Sequence, residues 1–413
     1  MLQSNRTVRH LSFFEALAGL EESSAEWRAT TAGLVVLRLV DAWFEEGQSV
    51  ASADAWGLSA VRVAVDEMDA GTPARAILCG VVDAVAAAER ADFSLIAPRL
   101  AAYGRALHFD AKWQLAADVN ATLIEYSHPI DEADVYINAS LQLGYCRRML
   151  GDWESASAAY DDAGRVAVSM GDVVGVLRVQ ISVARLATAR GNLPRAEEIL
   201  DQTIARAKSE TLHDILGLAL HERAGVAHER RQFEQSIRIG YEALENTATH
   251  TARDRVLSDI AVSFMELGVT SVARDAFLVL AATSQEQYLR WVASLNLLDI
   301  AIADGSEPAF EAYRRELTQS TLPVALQVNL HILTGKGYQA FGRVDRARNS
   351  LTLAVELASQ NRLNQLLMNA ELLLQQLETG ARVSTKVAVE APSEVAHVAS
   401  AIQAMRELVG VGE

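Results

Sequence analysis

The stretch LGYCRRMLGDWESASAAYDDA, residues 143–163, sets the pattern of this chain. It holds a small residue at Gly144, a glycine seven places on at Gly151, and an alanine five places later at Ala156. Tyr160 and Ala163 follow. The turn slot recurs at Gly151, Gly191, Arg231, Gly268, Gly305 and Gly342, in steps of 40, 40, 37, 37 and 37 residues. Self-similarity at this length signals one supersecondary unit, used repeatedly because it cannot bury its apolar face alone. Abundant alanine and leucine with little period-two alternation make that unit helical, so the expected fold class is all-α.

Each slot has a physical role in a pair of helices joined by a tight turn. The turn glycine supplies the left-handed backbone that ends the first helix. Asp152, Asn192 and Thr270 stand just beyond it, where a short polar side chain can cap the second helix. Small residues at Gly144, Ala184, Ala224, Ala261 and Gly335 let paired helices approach, as do Ala156, Ala196, Ala273 and Ala347 on the partner. Trp153, Tyr160, Leu200, Phe233, Phe277 and Leu351 fill the space between units. The unit at 218–246 departs from the pattern, with Arg231 at the turn, Ser236 for alanine and Gly240 for the aromatic residue. The unit at 292–320 is degenerate, with Leu298, Phe310 and Arg314 in the small, small and aromatic slots. An earlier unit at 98–125 has Gly104, Trp113 and Ala116 in register.

With these slots filled, the chain resembles the tetratricopeptide repeat family over about 138–358. The match is best at GYCRRMLGDWESASAAYDDA and at GKGYQAFGRVDRARNSLTLAVELA, where Gly335, Tyr338, Gly342, Ala347 and Ala354 fit. Periods of 37–40 exceed the family's usual 34 and imply longer helices, as in the repeat regions of bacterial regulators. The resemblance implies a right-handed α-solenoid over 93–378, its first helices lining a concave groove for a peptide or partner protein. Carried across unit by unit, the groove slots are Asn138, Leu141, Tyr145 and Arg148, then Arg178, Ile181 and Arg185. Leu218, His221 and His228 follow, then Arg255, Ser258 and Val262, then Leu295 and Asp299 with neighbouring Asn296. The last unit offers Asn329, Ile332, Lys336 and Gln339. Asn138 and Asn329 can bond a peptide backbone, and arginine's planar fork suits carboxylates. The groove is therefore expected to take an acidic or free-carboxylate segment. The alternative is that these cations pair with local acids such as Glu222, Glu229 and Asp259 on a solvated face.

Composition agrees with a protein ligand. Half of the 413 residues are hydrophobic, ample for a large core, and an array can grow in one dimension. With 37 basic and 53 acidic residues the formal charge is −16, which repels phosphate backbones, so no direct nucleic-acid contact is expected. The apolar stretches 32–44 and 74–88 carry Arg38, Asp41, Arg75 and Asp83, and fall short of the ~18 uncharged residues of a membrane span. Glu15 interrupts the apolar stretch after Arg6, Arg9 and His10, which disfavours a secretory signal. A cytoplasmic protein is expected. Its two cysteines, Cys79 and Cys146, read as reduced core residues.

Two regions flank the array. Residues 1–92 carry Trp27, Trp43 and Trp56 and read as longer helices, with WRATTAGLVVLRLVDAWFEEG ending at Gly47 and ADAWGLSAVRVAVDEMDAG at Gly71. They form either a cap that closes the solenoid core or an effector-binding bundle. After Gly380, residues 379–392 form a linker, and Pro392–Ser393 start a helix over 393–410. Its Val395, Val398, Ile402, Met405 and Val409 make one apolar seam. That seam caps the last repeat, docks in the groove, or self-associates with another copy, the last being disfavoured for two heptads.

No catalytic or metal spacing is present. His221 and His228 in HERAGVAHER share a helix face but lie roughly 10 Å apart, too far to share one ion. The glycines of GKGYQAFG fall on repeat slots and make no phosphate loop. The sequence thus describes a non-enzymatic interaction module without a cofactor. The second reading is a peptide-responsive signalling or transcriptional regulator whose effector is held by residues 1–92.

Overall fold

The structure, a computed structural model, describes residues 8–46, 57–88, 90–361, 363–379 and 389–410. Gly47, Trp56, Gly380 and most of the expected linker lie outside the described residues. The chain divides into two compact units, Met1–Ile199 and Leu200–Glu413, with the division inside a helix.

The first unit opens with α1 (Leu11–Ala18), α2 (Ala25–Glu46), α3 (Leu58–Asp66) and α4 (Pro73–Ala87). Helix α3 stops short of Gly71. The repeats follow as α5 (Phe93–Phe109), α6 (Trp113–Tyr126), α7 (Ala133–Met149), α8 (Trp153–Ser169), α9 (Val173–Ala189) and the start of α10 (Leu193–Ser209). One core runs from Phe13, Leu37 and Trp43 through Leu78 and Val82 to Ile96, Leu100, Tyr103, Leu123 and Cys146. The helices before residue 92 therefore share their interior with α5–α7. Polar ties reinforce the junction: the Tyr126 hydroxyl donates to Asp41 at 3.1 Å, and the Ser12 hydroxyl donates to Asp118.

The second unit continues with α11 (His213–Glu229), α12 (Phe233–Asn246), α13 (His250–Glu266), α14 (Thr270–Thr283), α15 (Gln287–Ala303), α16 (Glu307–Thr318), α17 (Val324–Ala340), α18 (Val344–Gln360) and α19 (Asn364–Glu378). A 3-10 turn, Ser393–Val395, leads into α20 (Ala396–Val409). In each unit most helices pack against the next in the chain, and first helices such as α7 and α9, or α15 and α17, lie side by side.

The turn slot is left-handed wherever the repeat places it. Gly151, Gly191, Gly268, Gly305 and Gly342 all have positive φ, and so do Arg231 at 61° and Ala111 at 57°. Ala111 stands 40 residues before Gly151, which extends the series back into α5–α6. Asp152 caps α8 by accepting from Ser155 N, and Asn192 accepts from Arg195 N. Thr270 does not cap. It is the buried first residue of α14, and Val269 holds the cap position without a side-chain bond.

The degenerate unit is repaired by its neighbour. Phe310, fully buried, packs edge-on to Tyr338 at 5.6 Å and against Phe341. It lies over Gly337, where a Cβ would sit 2.2 Å from the ring. A glycine on the next first helix makes the room that Phe310 takes. Helix α20 lies on α12 and α14, the second helices of their hairpins. Val395, Val398 and Ile402 are buried there, Arg406 pairs with Asp275 at 2.7 Å, and His397 meets Tyr241 edge-on. The last repeat and the groove helices are not its docking partners.

Candidate functional site

Helix α7 carries Asn138, Tyr145 and Arg148, and α9 carries Arg178 and Arg185 at the equivalent 40-residue steps. Asn138 is exposed, and its amide nitrogen donates to Asp134 O one turn back, leaving the amide oxygen to solvent. Tyr145 is half-buried against two rings from α5 and α6: His108 at 4.3 Å and Trp113 at 5.8 Å between centroids. The Arg148 guanidinium lies 4.8 Å over the Tyr145 ring and hydrogen-bonds the Tyr160 hydroxyl. Its Nε is buried without a partner. Arg185 also lies close enough to Tyr160 to act on its ionisation.

The electrostatics follow from burial and from this concentration of cations. Burial, with Arg148 adding to it, holds the His108 pKa below its ordinary value, which disfavours the imidazolium beside Arg148. Burial raises the Tyr160 pKa although Arg148 and Arg185 oppose it. Among the described residues, neither Arg148 nor Arg178 has an ion pair with a carboxylate.

The second unit is different. Arg255 bonds both oxygens of Glu286 at 2.9 and 3.2 Å. Lys336 pairs with Asp299 at 2.5 Å, and His221 bonds Asp259 at 2.7 Å. Asn296 donates to Val292 O on its own helix. Asn329 is half-buried, with no side-chain hydrogen bond among the described residues. The cations of this unit follow the alternative of local pairing. Leu141, Ile181, Ser258, Leu295 and Ile332, assigned to groove slots, are buried between helices and present nothing to a ligand.

Sequence reasoning placed Tyr160 as a filler and Trp113 in register in the earlier unit, and passed over His108. The three complete the surroundings of Tyr145 and Arg148. The available signal was position: Trp113 and Phe233 both open a second helix, and each meets a histidine, His108 or His228, near the end of the first. Both thiols are free, and burial pushes Cys146 up to about 11. Among the described residues no group of three His, Cys, Asp or Glu side chains is placed to hold a metal ion, and no helix is long and apolar enough to cross a membrane.

No protein-family model and no curated protein sequence matches the chain. Among solved structures, a tetratricopeptide repeat protein from Parabacteroides merdae aligns with 67% of this chain and 98% of its own, at 14% identity and a TM-score of 0.41. The apo form of the quorum sensor NprR from B. thuringiensis aligns with 83% and 92%, at 13% identity and a TM-score of 0.48. The complex of NprR with its cognate peptide NprX aligns with 84% and 91%, at 13% identity and 0.46. The chain is similar to tetratricopeptide repeat structures. The likeness is one of fold and carries nothing about ligand.

Proposed function

We propose that this chain is a peptide- or protein-binding solenoid whose recognition face in the first unit is formed by Tyr145, Arg148, Arg178 and Arg185. The observation that carries the reading is that, among the described residues, Arg148 and Arg178 have no carboxylate partner, beside an aromatic ring, in an acidic protein. Arg178 reaches solvent from a half-buried position, and Arg148 is held over Tyr145, so less side-chain freedom is lost on binding. A carboxylate-bearing segment meets both needs, since a guanidinium binds two oxygens at once. The helices before residue 92 serve as the cap, because they share one core with α5–α7.

The test is fluorescence anisotropy on the full chain with two labelled peptide pools, one with fixed Asp and Glu positions and one with Asn and Gln in their place. The acidic pool binds more tightly, weakens with salt, and is lost in Arg148→Ala/Arg178→Ala at unchanged helicity. Arg255→Ala/Lys336→Ala keeps binding. Equal binding of both pools, or full binding by the first double variant, overturns the proposal.

A further inference from the structure

The second unit contains a cavity of about 220 Å³ between α11, α12 and α13. Its origin is legible in the repeat. The slot that holds Tyr160, Phe277 and Leu351 elsewhere holds Gly240 here, so the unit lacks its own filler. Ile260 leans into part of the gap, its Cγ1 2.8 Å from where a Gly240 Cβ would sit. The rest stays open. The buried wall is Ala224, Ser236, Val256, Ile260 and Ser263, and the rim is exposed Gly225, Glu229 and Asp259.

The polar groups in this wall bond one another and the helix backbone. Ser236 Oγ lies 2.9 Å from Ala224 O and 3.1 Å from Ser263 Oγ, and Ser263 Oγ lies 3.0 Å from Asp259 O and 2.9 Å from His228 Nδ1. At the rim, His221 Nε2 donates to the Asp259 carboxylate. The cavity therefore offers acceptors at its rim, the carboxylates of Asp259 and Glu229, above walls that are largely apolar.

We infer that this cavity binds a phenol-type aromatic ring, whose body replaces the missing repeat filler and whose hydroxyl donates to a rim carboxylate, Glu229 or Asp259. The size suits one ring, since a cavity of about 150 Å³ already admits benzene in a well-studied apolar case. The rim carboxylates exclude anions, which separates this site from the arginine face. The phenol comes either from a tyrosine of a partner protein or from a free small compound. The inference does not depend on the peptide reading above.

Saturation-transfer NMR and thermal shift on the full chain test it, with p-cresol, toluene, p-toluate and N-acetyltyrosine amide as probes. p-Cresol binds between about two- and tenfold more tightly than toluene, the range one hydrogen bond gives, and p-toluate does not compete. Gly225→Leu, whose new side chain starts in open space at the rim, weakens p-cresol at least about tenfold, since nothing lies within 4 Å of the Cβ position. Glu229→Ala/Asp259→Ala removes the preference for p-cresol over toluene. Tighter binding of N-acetyltyrosine amide than of p-cresol identifies a protein side chain as the occupant, and weaker binding a free phenol. No binding of p-cresol, undiminished binding by Gly225→Leu, or tighter binding of p-toluate overturns the inference. Acidic-peptide binding by Gly225→Leu stays at the wild-type level, so this result and that of the arginine face are read separately.

Discussion

Replacing Gly337 with alanine should destabilise the second unit, although alanine is the better helix former by about 1 kcal/mol. The new Cβ would lie 2.2 Å from Phe310 Cε2, 2.7 Å from Cζ and 2.8 Å from Cδ2. Carbon atoms prefer about 3.5–4.0 Å, so the ring must retreat by more than about 1 Å. It has nowhere to go, being fully buried against Tyr338 and Phe341. Overpacking of this kind costs about 1–3 kcal/mol, and the contact here belongs near the upper end. After the propensity gain, a net loss of about 1–2 kcal/mol remains. The decisive comparison is with Phe310→Leu, which alone leaves a gap but gives the alanine methyl its space. Equilibrium urea unfolding of the two single variants and the double variant, with hydrogen exchange over residues 307–341, measures the coupling. The double variant should be less destabilised than the sum by at least about 1 kcal/mol. Gly225→Ala, with nothing within 4 Å of its Cβ position, is the control and should stabilise by about 1 kcal/mol. Additive single variants, or a Gly337→Ala as stable as the control, would refute the steric reasoning.

Three more outcomes follow from the same geometry. Arg231→Gly should raise stability by about 0.5–1 kcal/mol in thermal and urea unfolding, because Arg231 is held at φ 61° where an L side chain is strained. His108 has a folded pKa below the ordinary histidine value of 6.5, so the unfolded chain takes up more protons than the folded one as pH falls through that value. Stability should therefore decline from pH 7.5 to 5.5, and His108→Gln should flatten that decline, as read by urea midpoints. Truncation after Thr379 should lower thermal stability by uncovering the faces of α12 and α14 that bury Val395, Val398 and Ile402. The same truncation should leave acidic-peptide affinity unchanged, and a rise in affinity would show that the C-terminal helix competes for the groove.

The helices were legible because their causes are local. Every first helix from α5 to α17 has 17 residues and ends at a left-handed slot. The shift in period from 40 to 37 is also local: α8 and α10 have 17 residues, whereas α12 and α14 have 14. Three residues are close to one helical turn, so from α8 and α10 to α12 and α14 the second helix loses about a turn and its connection to the next helix keeps its length. The site was legible only as a set of positions. Arg148, Arg178, Arg255 and Lys336 occupy similar slots, and nothing nearby in the chain says which of them are neutralised.

The sequence by itself determined where the first helices of the repeats stop, which faces are apolar, and that Gly240 leaves its unit without a filler. Backbone dihedrals and hydrogen bonds four residues apart obey the residues that carry them. Tertiary structure alone decided which charges meet and where the terminal helix rests. Arg255 finds Glu286 31 residues away, and Arg406 finds Asp275 across 131. Such encounters depend on how packed helices aim their long side chains, and that direction exists only once the helices have stacked.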